Sequence, residues 1–242
     1  MIRLSVNVNK VATLRNARGG EVPSVVRAAE ICLAAGCHGI TVHPRPDGRH
    51  IRRRDVVDLA AILPPAAEFN IEGYPSPGWL ALVEEVRPRQ ATLVPDPPEA
   101  ITSNAGWRFE RVDRGWLAEV VARLRSGGCR VSLFVDPDPA EVEGARAVGA
   151  DRVELYTEPY AKAYLTPARD AVFAGYRAAA ERALSLGLGV NAGHDLDLAN
   201  LGHLARNLPG LDEVSIGHAL ISDALWMGLA AAVAAYLAAL RG

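Results

Sequence analysis

The chain has 242 residues, 50% of them hydrophobic and 22% charged, with 26 Lys+Arg against 28 Asp+Glu and a formal charge of −2. A balance this near neutral lacks the basic face of a nucleic-acid binder, and every apolar stretch is interrupted well before the ~20 residues that span a bilayer. The opening MIRLSVNVNK does not have the charged region, apolar run and cleavage site of a secretion signal, so a cytoplasmic protein without membrane contact is expected.

In chain order, short runs rich in β-formers fall at 3–8, 39–43, 68–72, 90–95, 130–136, 152–157, 188–193 and 213–217. Several, such as ITV, ATLV and VSLFV, are almost continuously apolar, the pattern of strands buried on both faces in a parallel sheet. Between and after them lie segments with apolar residues at three and four spacing: 24–35, 54–63, 76–86, 116–126, 139–148, 167–186, 197–207 and 221–240. Eight β/α alternations in a chain of this length predict an α/β protein of one domain, 1–242, closed as a (β/α)8 TIM barrel. A doubly wound open sheet would need a Gly-x-Gly-x-x-Gly turn after the first strand, and Asn7-Val8-Asn9-Lys10 offers none. The aperiodic connection from 96 to 115 is the expected lid, with 160–167 a second, shorter loop. Cys32, Cys37 and Cys129 form no Cys-x-x-Cys pair and sit in or beside apolar segments, so they are expected as buried free thiols.

A barrel of this kind carries its chemistry at the carboxyl ends of the strands. Those ends bear Asn7, Asn9 and Lys10; His43 with Arg45 and His50; Glu72; Asp96 and then Thr102; Asp136; Glu154, Tyr156, Thr157 and Glu158; Asn191, Gly193, His194 and Asp195; and Gly217 with His218. For Asp136 and Glu154 a packed, hydrogen-bonded core role is as good a reading as a site role. His38 and His203 fall in a turn and a helix and read as structural. His43, Glu72 and His194 together place a carboxylate among imidazoles, the makings of acid/base groups tuned toward neutrality. Glycines in Asn191-Ala192-Gly193 and Ser215-Ile216-Gly217-His218, the latter opening a helix, suit a phosphate, with Arg18 or Arg45 as the cation for a second anion. The slot where a metal-dependent barrel carries His-x-His holds Asn7-Val8-Asn9, and no His-Glu-x-x-His occurs, so no metal is expected.

The stretch from Val6 to Gly19, VNVNKVATLRNARG, resembles the signature of the pyridoxine 5′-phosphate synthase family. So do Gly39-Ile40-Thr41-Val42-His43 with Arg45 and Arg49-His50-Ile51, Asn70-Ile71-Glu72, Leu93-Val94-Pro95, Val131 to Asp136, Val190 to His194 and Ile216-Gly217-His218-Ala219, in order over nearly the whole chain. The resemblance implies a (β/α)8 barrel in a homo-oligomer, an octamer built from dimers. It implies condensation of 3-amino-2-oxopropyl phosphate with 1-deoxy-D-xylulose 5-phosphate to a pyridine ring, losing water and phosphate, with no cofactor. On that mapping His43 and Glu72 are proton acceptors and His194 a proton donor. Asn7, Arg18, Gly217 and His218 hold the amino-ketone phosphate, and Arg45, His50 and Thr102 the sugar phosphate.

The chain departs from the family pattern at four strand ends. Asn9-Lys10 replaces Asp-His beside the sugar phosphate, Tyr156-Thr157-Glu158 replaces His-Thr-Gly, Asp195 replaces a glycine after His194, and the lid opens Asp96-Pro97-Pro98 in place of Glu-Lys-Arg. Lys10 is one of only two lysines, with Lys162, among 26 basic residues. Two further readings follow: a relative that keeps the acid/base core but joins another amine and carbonyl pair, with Lys10 on the altered substrate, and a non-catalytic binding protein for phosphorylated metabolites.

Overall fold

The protein is described from a computed structural model that covers residues 1–96 and 105–241. Eight parallel strands, β1 (Arg3–Asn7), β2 (Gly39–Val42), β3 (Glu68–Gly73), β4 (Gln90–Leu93), β5 (Arg130–Val135), β6 (Arg152–Tyr156), β7 (Gly189–Gly193) and β8 (Leu211–Ile216), pair in sequence order, and β1 pairs with β8 to close the barrel. Around it run α1 (Asn9–Asn16), α2 (Val25–Ala34), α3 (Arg53–Ile62), α4 (Pro77–Val86), α5 (Arg114–Ser126), α6 (Pro139–Ala147), α7 (Glu158–Ala163), α8 (Arg169–Ser185), α9 (Leu201–Asn207), α10 (His218–Met227) and α11 (Leu229–Arg241). The expected single TIM barrel is the fold observed.

Local chemistry sets the helix starts. Ser24, Ser76, Asp113 and Asp138 each accept a backbone N–H of the following turn, and Pro77 and Pro139 open α4 and α6, where a missing N–H costs nothing. Two helices and one loop expected from the sequence differ. The run expected at 221–240 is two helices, because Gly228 at φ 83° breaks it. Part of the segment expected as a loop at 160–167 belongs to α7, and α9 begins only at Leu201, after a turn in which Asp197 and Asn200 satisfy each other's backbone. In addition, α1 was not foreseen.

The strands are not apolar on both sides. Leu4, Val6, Ile40, Val42, Ile71, Ala91 and Leu93 belong to the one large core shared with the helices, whereas the residues alternating with them are polar. Ser5 Oγ and Thr41 Oγ1 lie 2.7 Å apart, Asn70 Nδ2 donates to Thr41 at 3.4 Å, and Thr92 Oγ1 donates to Asn70 at 3.0 Å. Below this belt Arg130 reaches Gln90 Oε1 at 2.7 Å and Glu68 at 2.6 Å, and Asn191 and Glu213 each lie 3.4 Å from Gln90. The barrel is thus lined by hydrogen-bonded polar groups where branched aliphatics are usual. Cys32, Cys37 and Cys129 are buried free thiols, as expected. Among the described residues no helix is long and apolar enough to cross a membrane.

Candidate active site

The carboxyl ends of the strands enclose a cavity of about 380 Å³. Its rim is tied together before any substrate is considered. Asn7 Oδ1 at the end of β1 accepts the Asn9 N–H at 3.0 Å, and Asn9 Oδ1 accepts the His43 N–H at 3.0 Å, so the first two strand ends hold each other. Glu72, near the end of β3, has its carbonyl held by the Trp79 indole N–H at 3.0 Å. That indole lies where a Cβ on residue 73 would stand, 2.1 Å from Nε1, so Gly73 is required for the contact. Glu72 Oε2 then lies 3.7 Å from His43 Nδ1, and Ser215 Oγ donates to Glu72 Oε1 at 3.5 Å.

The three candidate acid/base groups sit in different electrostatic settings. Burial, with the charges of Arg45, His50 and His194, pushes His43 well below the ordinary histidine range, so its ring is neutral near pH 7. Burial raises Glu72 to about 7, at the point where a carboxyl can both accept and return a proton. For His194 burial pulls downward, but the hydrogen bond and charge of Asp195, with Glu72 and Asp96, outweigh it and raise the ring above its ordinary value. A neutral imidazole, a carboxyl poised near neutrality and an imidazole whose protonated form is favoured thus face one space. Glu154, buried beneath them, is pushed well up by burial and by Glu72 and Glu213, so it stands as a neutral acid. Val94, Phe134 and Tyr156 form a small apolar cluster, and the first two line the cavity.

Groups for anions flank this centre. Gly217 precedes α10, and Gly217 and His218, at the start of that helix, line the cavity. A Cβ at 217 would meet Asn7 Cβ at 3.0 Å, so glycine keeps that approach open. The same cavity is also lined by Lys10, Arg45 and His50. Arg45 Nη2 pairs with Asp96 at 2.7 Å. His50 accepts the Ile51 N–H on Nδ1 at 2.9 Å, and burial with the nearby Arg45 and Lys10 lowers its pKa to about 4, leaving a neutral ring with Nε2–H as its donor. The loop bearing both residues is pinned from α1: Arg15 makes a bidentate pair with Asp55 (2.5 and 2.9 Å) and donates to the His50 carbonyl at 3.1 Å, which Asn16 also reaches at 2.8 Å.

Of the residues expected from the sequence, the structure brings Asn7, Asn9, Lys10, His43, Arg45, His50, Glu72, His194, Asp195, Gly217 and His218 to this one cavity. Arg18 is exposed in the turn after α1 and does not reach the cavity wall, because α1 ends at Asn16 and the chain there runs outward. Thr102 and the lid opening Pro97-Pro98 lie outside the described residues. The reading that left Glu154 undecided between core and site resolves to the cavity lining, whereas Asp136 is taken up by Arg108 at 2.6 Å and the Gly106 N–H at 3.0 Å. Arg15 and Asp55, which hold the loop bearing Arg45 and His50, were not picked out; an Arg and an Asp separated by 40 residues carry no local signal. Among the described residues no three His, Cys, Asp or Glu side chains converge as metal ligands would.

Comparison with known proteins places this arrangement. The barrel matches phosphoribosyl anthranilate isomerase from Thermotoga maritima with TM-score 0.63 over 100% of both chains at 11% identity, a likeness of fold alone. Far nearer in sequence are proteins named pyridoxine 5′-phosphate synthase. The one from Bacteroides thetaiotaomicron is 57% identical over 241 residues and all of both chains. The one from Xanthomonas oryzae is 54% identical over 249 residues, covering 100% of this chain and 97% of the other. The family described as "Pyridoxal phosphate biosynthesis protein PdxJ" matches residues 4–242, and the chain belongs to that family.

Proposed function

We propose that the protein is a pyridoxine 5′-phosphate synthase that condenses 3-amino-2-oxopropyl phosphate with 1-deoxy-D-xylulose 5-phosphate to form a pyridine ring, releasing water and inorganic phosphate. The observation that carries this reading is one cavity holding His43, Glu72 and His194 in three different protonation tendencies, lined as well by Lys10, Arg45, His50 and the Gly217-His218 start of α10. Imine formation, dehydration and aromatisation move protons at adjacent carbons, and each move needs an acid or a base already in the required state. In this reading His43 and Glu72 accept protons and His194 donates one to a departing oxygen. Asn7, Gly217 and His218 hold one phosphorylated substrate at the start of α10. Lys10, Arg45 and His50 hold the other beside Asn9, with the apolar face of Val94 and Phe134 against the ring as it closes.

Full-length relatives of 54% to 57% identity that carry the synthase name support reading Asn9-Lys10, Tyr156, Glu158 and Asp195 as variation within one activity. The test is direct. Purified protein given both substrates releases inorganic phosphate and forms a product with pyridine absorbance; absence of turnover would overturn the reading. A cytoplasmic location and assembly into a homo-oligomer, octameric by resemblance, belong to the same proposal, and a monomeric mass by light scattering would remove the latter.

A further inference from the structure

The main chain around His194 is fixed on both sides. Thr157 Oγ1 donates to the Gly193 carbonyl, and a Cβ on residue 193 would meet Glu154 Oε1 at 2.7 Å and the Ser215 carbonyl at 2.8 Å. The Asp195 carbonyl accepts from Asn200 Nδ2 at 3.3 Å, within the turn that precedes α9. His194 itself has φ 93°, a conformation that residues with a Cβ rarely adopt. Strain of this kind persists where the surroundings over-determine it, and it is found at sites where a side chain must be aimed. The aim here is visible: His194 Nδ1 lies 2.5 Å from Asp195 Oδ2, and the Tyr156 ring packs edge-on against the imidazole at 5.7 Å between centroids.

We propose that Asp195 is the positioning residue of the proton donor: its carboxylate holds the Nδ1–H of His194, fixes the ring's tautomer and assigns proton delivery to Nε2. The proposal rests on the synthase reading for the identity of the step, but not for the interaction itself. In that step the imidazolium gives its Nε2 proton to the leaving oxygen of the substrate, and the bond from carbon to that oxygen breaks. The ring becomes neutral with Nδ1–H still on Asp195, so Nε2 is the nitrogen that accepts a proton afterwards, and no proton passes to Asp195. The charged and titratable groups facing the ring are Glu72 from β3, Asp96 after β4, Tyr156 and Glu158 from β6 and α7, and His43 after β2. Beside them Asp195 is in hydrogen-bond contact with Nδ1.

The experiment follows His194 in the full-length protein by 15N and 13C histidine NMR over pH, with kcat/KM profiles measured on the same samples. Asp195→Asn keeps the side chain's size and removes its charge; Asp195→Glu restores the charge. The Asn variant is expected to lower the His194 pKa by about one unit, the tenfold change in proton affinity that a lost carboxylate partner gives. It is also expected to move the basic limb of kcat/KM down equally and to lose the single Nδ1–H signature in the neutral ring, while the Glu variant recovers part of each. A His194 titration and tautomer unchanged in Asp195→Asn would overturn the proposal. Wild-type protein without turnover but with the expected NMR shift would count against the synthase reading while supporting the role of Asp195.

Discussion

At the level of single residues, the opposed environments of His43, Glu72 and His194 set the pH dependence. Because burial raises Glu72 to about 7, it is available as a proton acceptor only above that pH, and kcat/KM rises with pH through about 7. His43, pushed well below its ordinary range, is neutral across that interval and adds no limb. His194, held above its ordinary value by Asp195, supplies the alkaline limb, where its loss of a proton lowers activity. An acid limb in the ordinary carboxylate range would show that Glu72 is not the acceptor. Replacing Glu72 by Gln keeps the shape and removes the base. It is expected to cost about 10²- to 10⁴-fold in kcat with little change in KM, as loss of a general base does. Full turnover in Glu72→Gln, measured by phosphate release, would take this side chain out of the chemistry.

At the level of elements, α1 works as a strut. It follows β1 with a single residue between them, and its last turn sends Arg15 into a buried pair with Asp55 at the start of α3, bracing the loop that carries Arg45 and His50. Asp55→Ala leaves a buried guanidinium without its partner, and a cost of about 3–5 kcal/mol in urea unfolding is expected. Replacing both members, Arg15→Met with Asp55→Leu, is expected to recover most of that stability. KM for the sugar phosphate should remain raised, because the His50 carbonyl loses the Arg15 donor and, among the described residues, keeps Asn16. Recovery of KM together with stability would limit the pair to packing. This strut also shows where the sequence was silent. The eight strands and the residues at their ends were legible because apolar runs recur with Ala-rich helical segments between them and a barrel aims strand ends into one pocket. By contrast NKVATLRN buries only Val11, Ala12 and Arg15 and has no side-chain N-cap, so neither stripe nor boundary marked α1. The polar inner row of the strands was equally hidden. Thr41 within ITV and Ser132 within VSLFV break the apolar runs by one small residue each, too little to signal that polar side chains alternate with apolar ones along these strands.

At the level of the whole molecule, the interior of the barrel stores charge that its stability must follow. Glu213 is buried beside Glu68, and burial together with that neighbour raises it to about 8, while Arg130 and Arg3 hold Glu68 in the charged form. The pair therefore keeps one proton in the folded protein at neutral pH that the unfolded chain releases near the ordinary carboxylate pKa. Between that value and about 8 the folded state binds the additional proton, so stability is greatest at the acid end of this window and falls as pH rises through it. The slope for one proton is about 1.4 kcal/mol per pH unit. Glu72 and Glu154 contribute in the same sense, so the wild-type slope alone does not isolate Glu213. Glu213→Gln does, because the amide mimics the protonated acid toward Glu68 and cannot ionise. Urea unfolding at intervals between pH 6 and pH 9 is expected to show a steeper loss in the wild-type protein than in the variant. The two curves should converge toward acid and the variant should be the more stable above about pH 8. Parallel curves would mean that Glu68 and Glu213 share no proton and that the arginines at the base of the barrel neutralise both carboxylates.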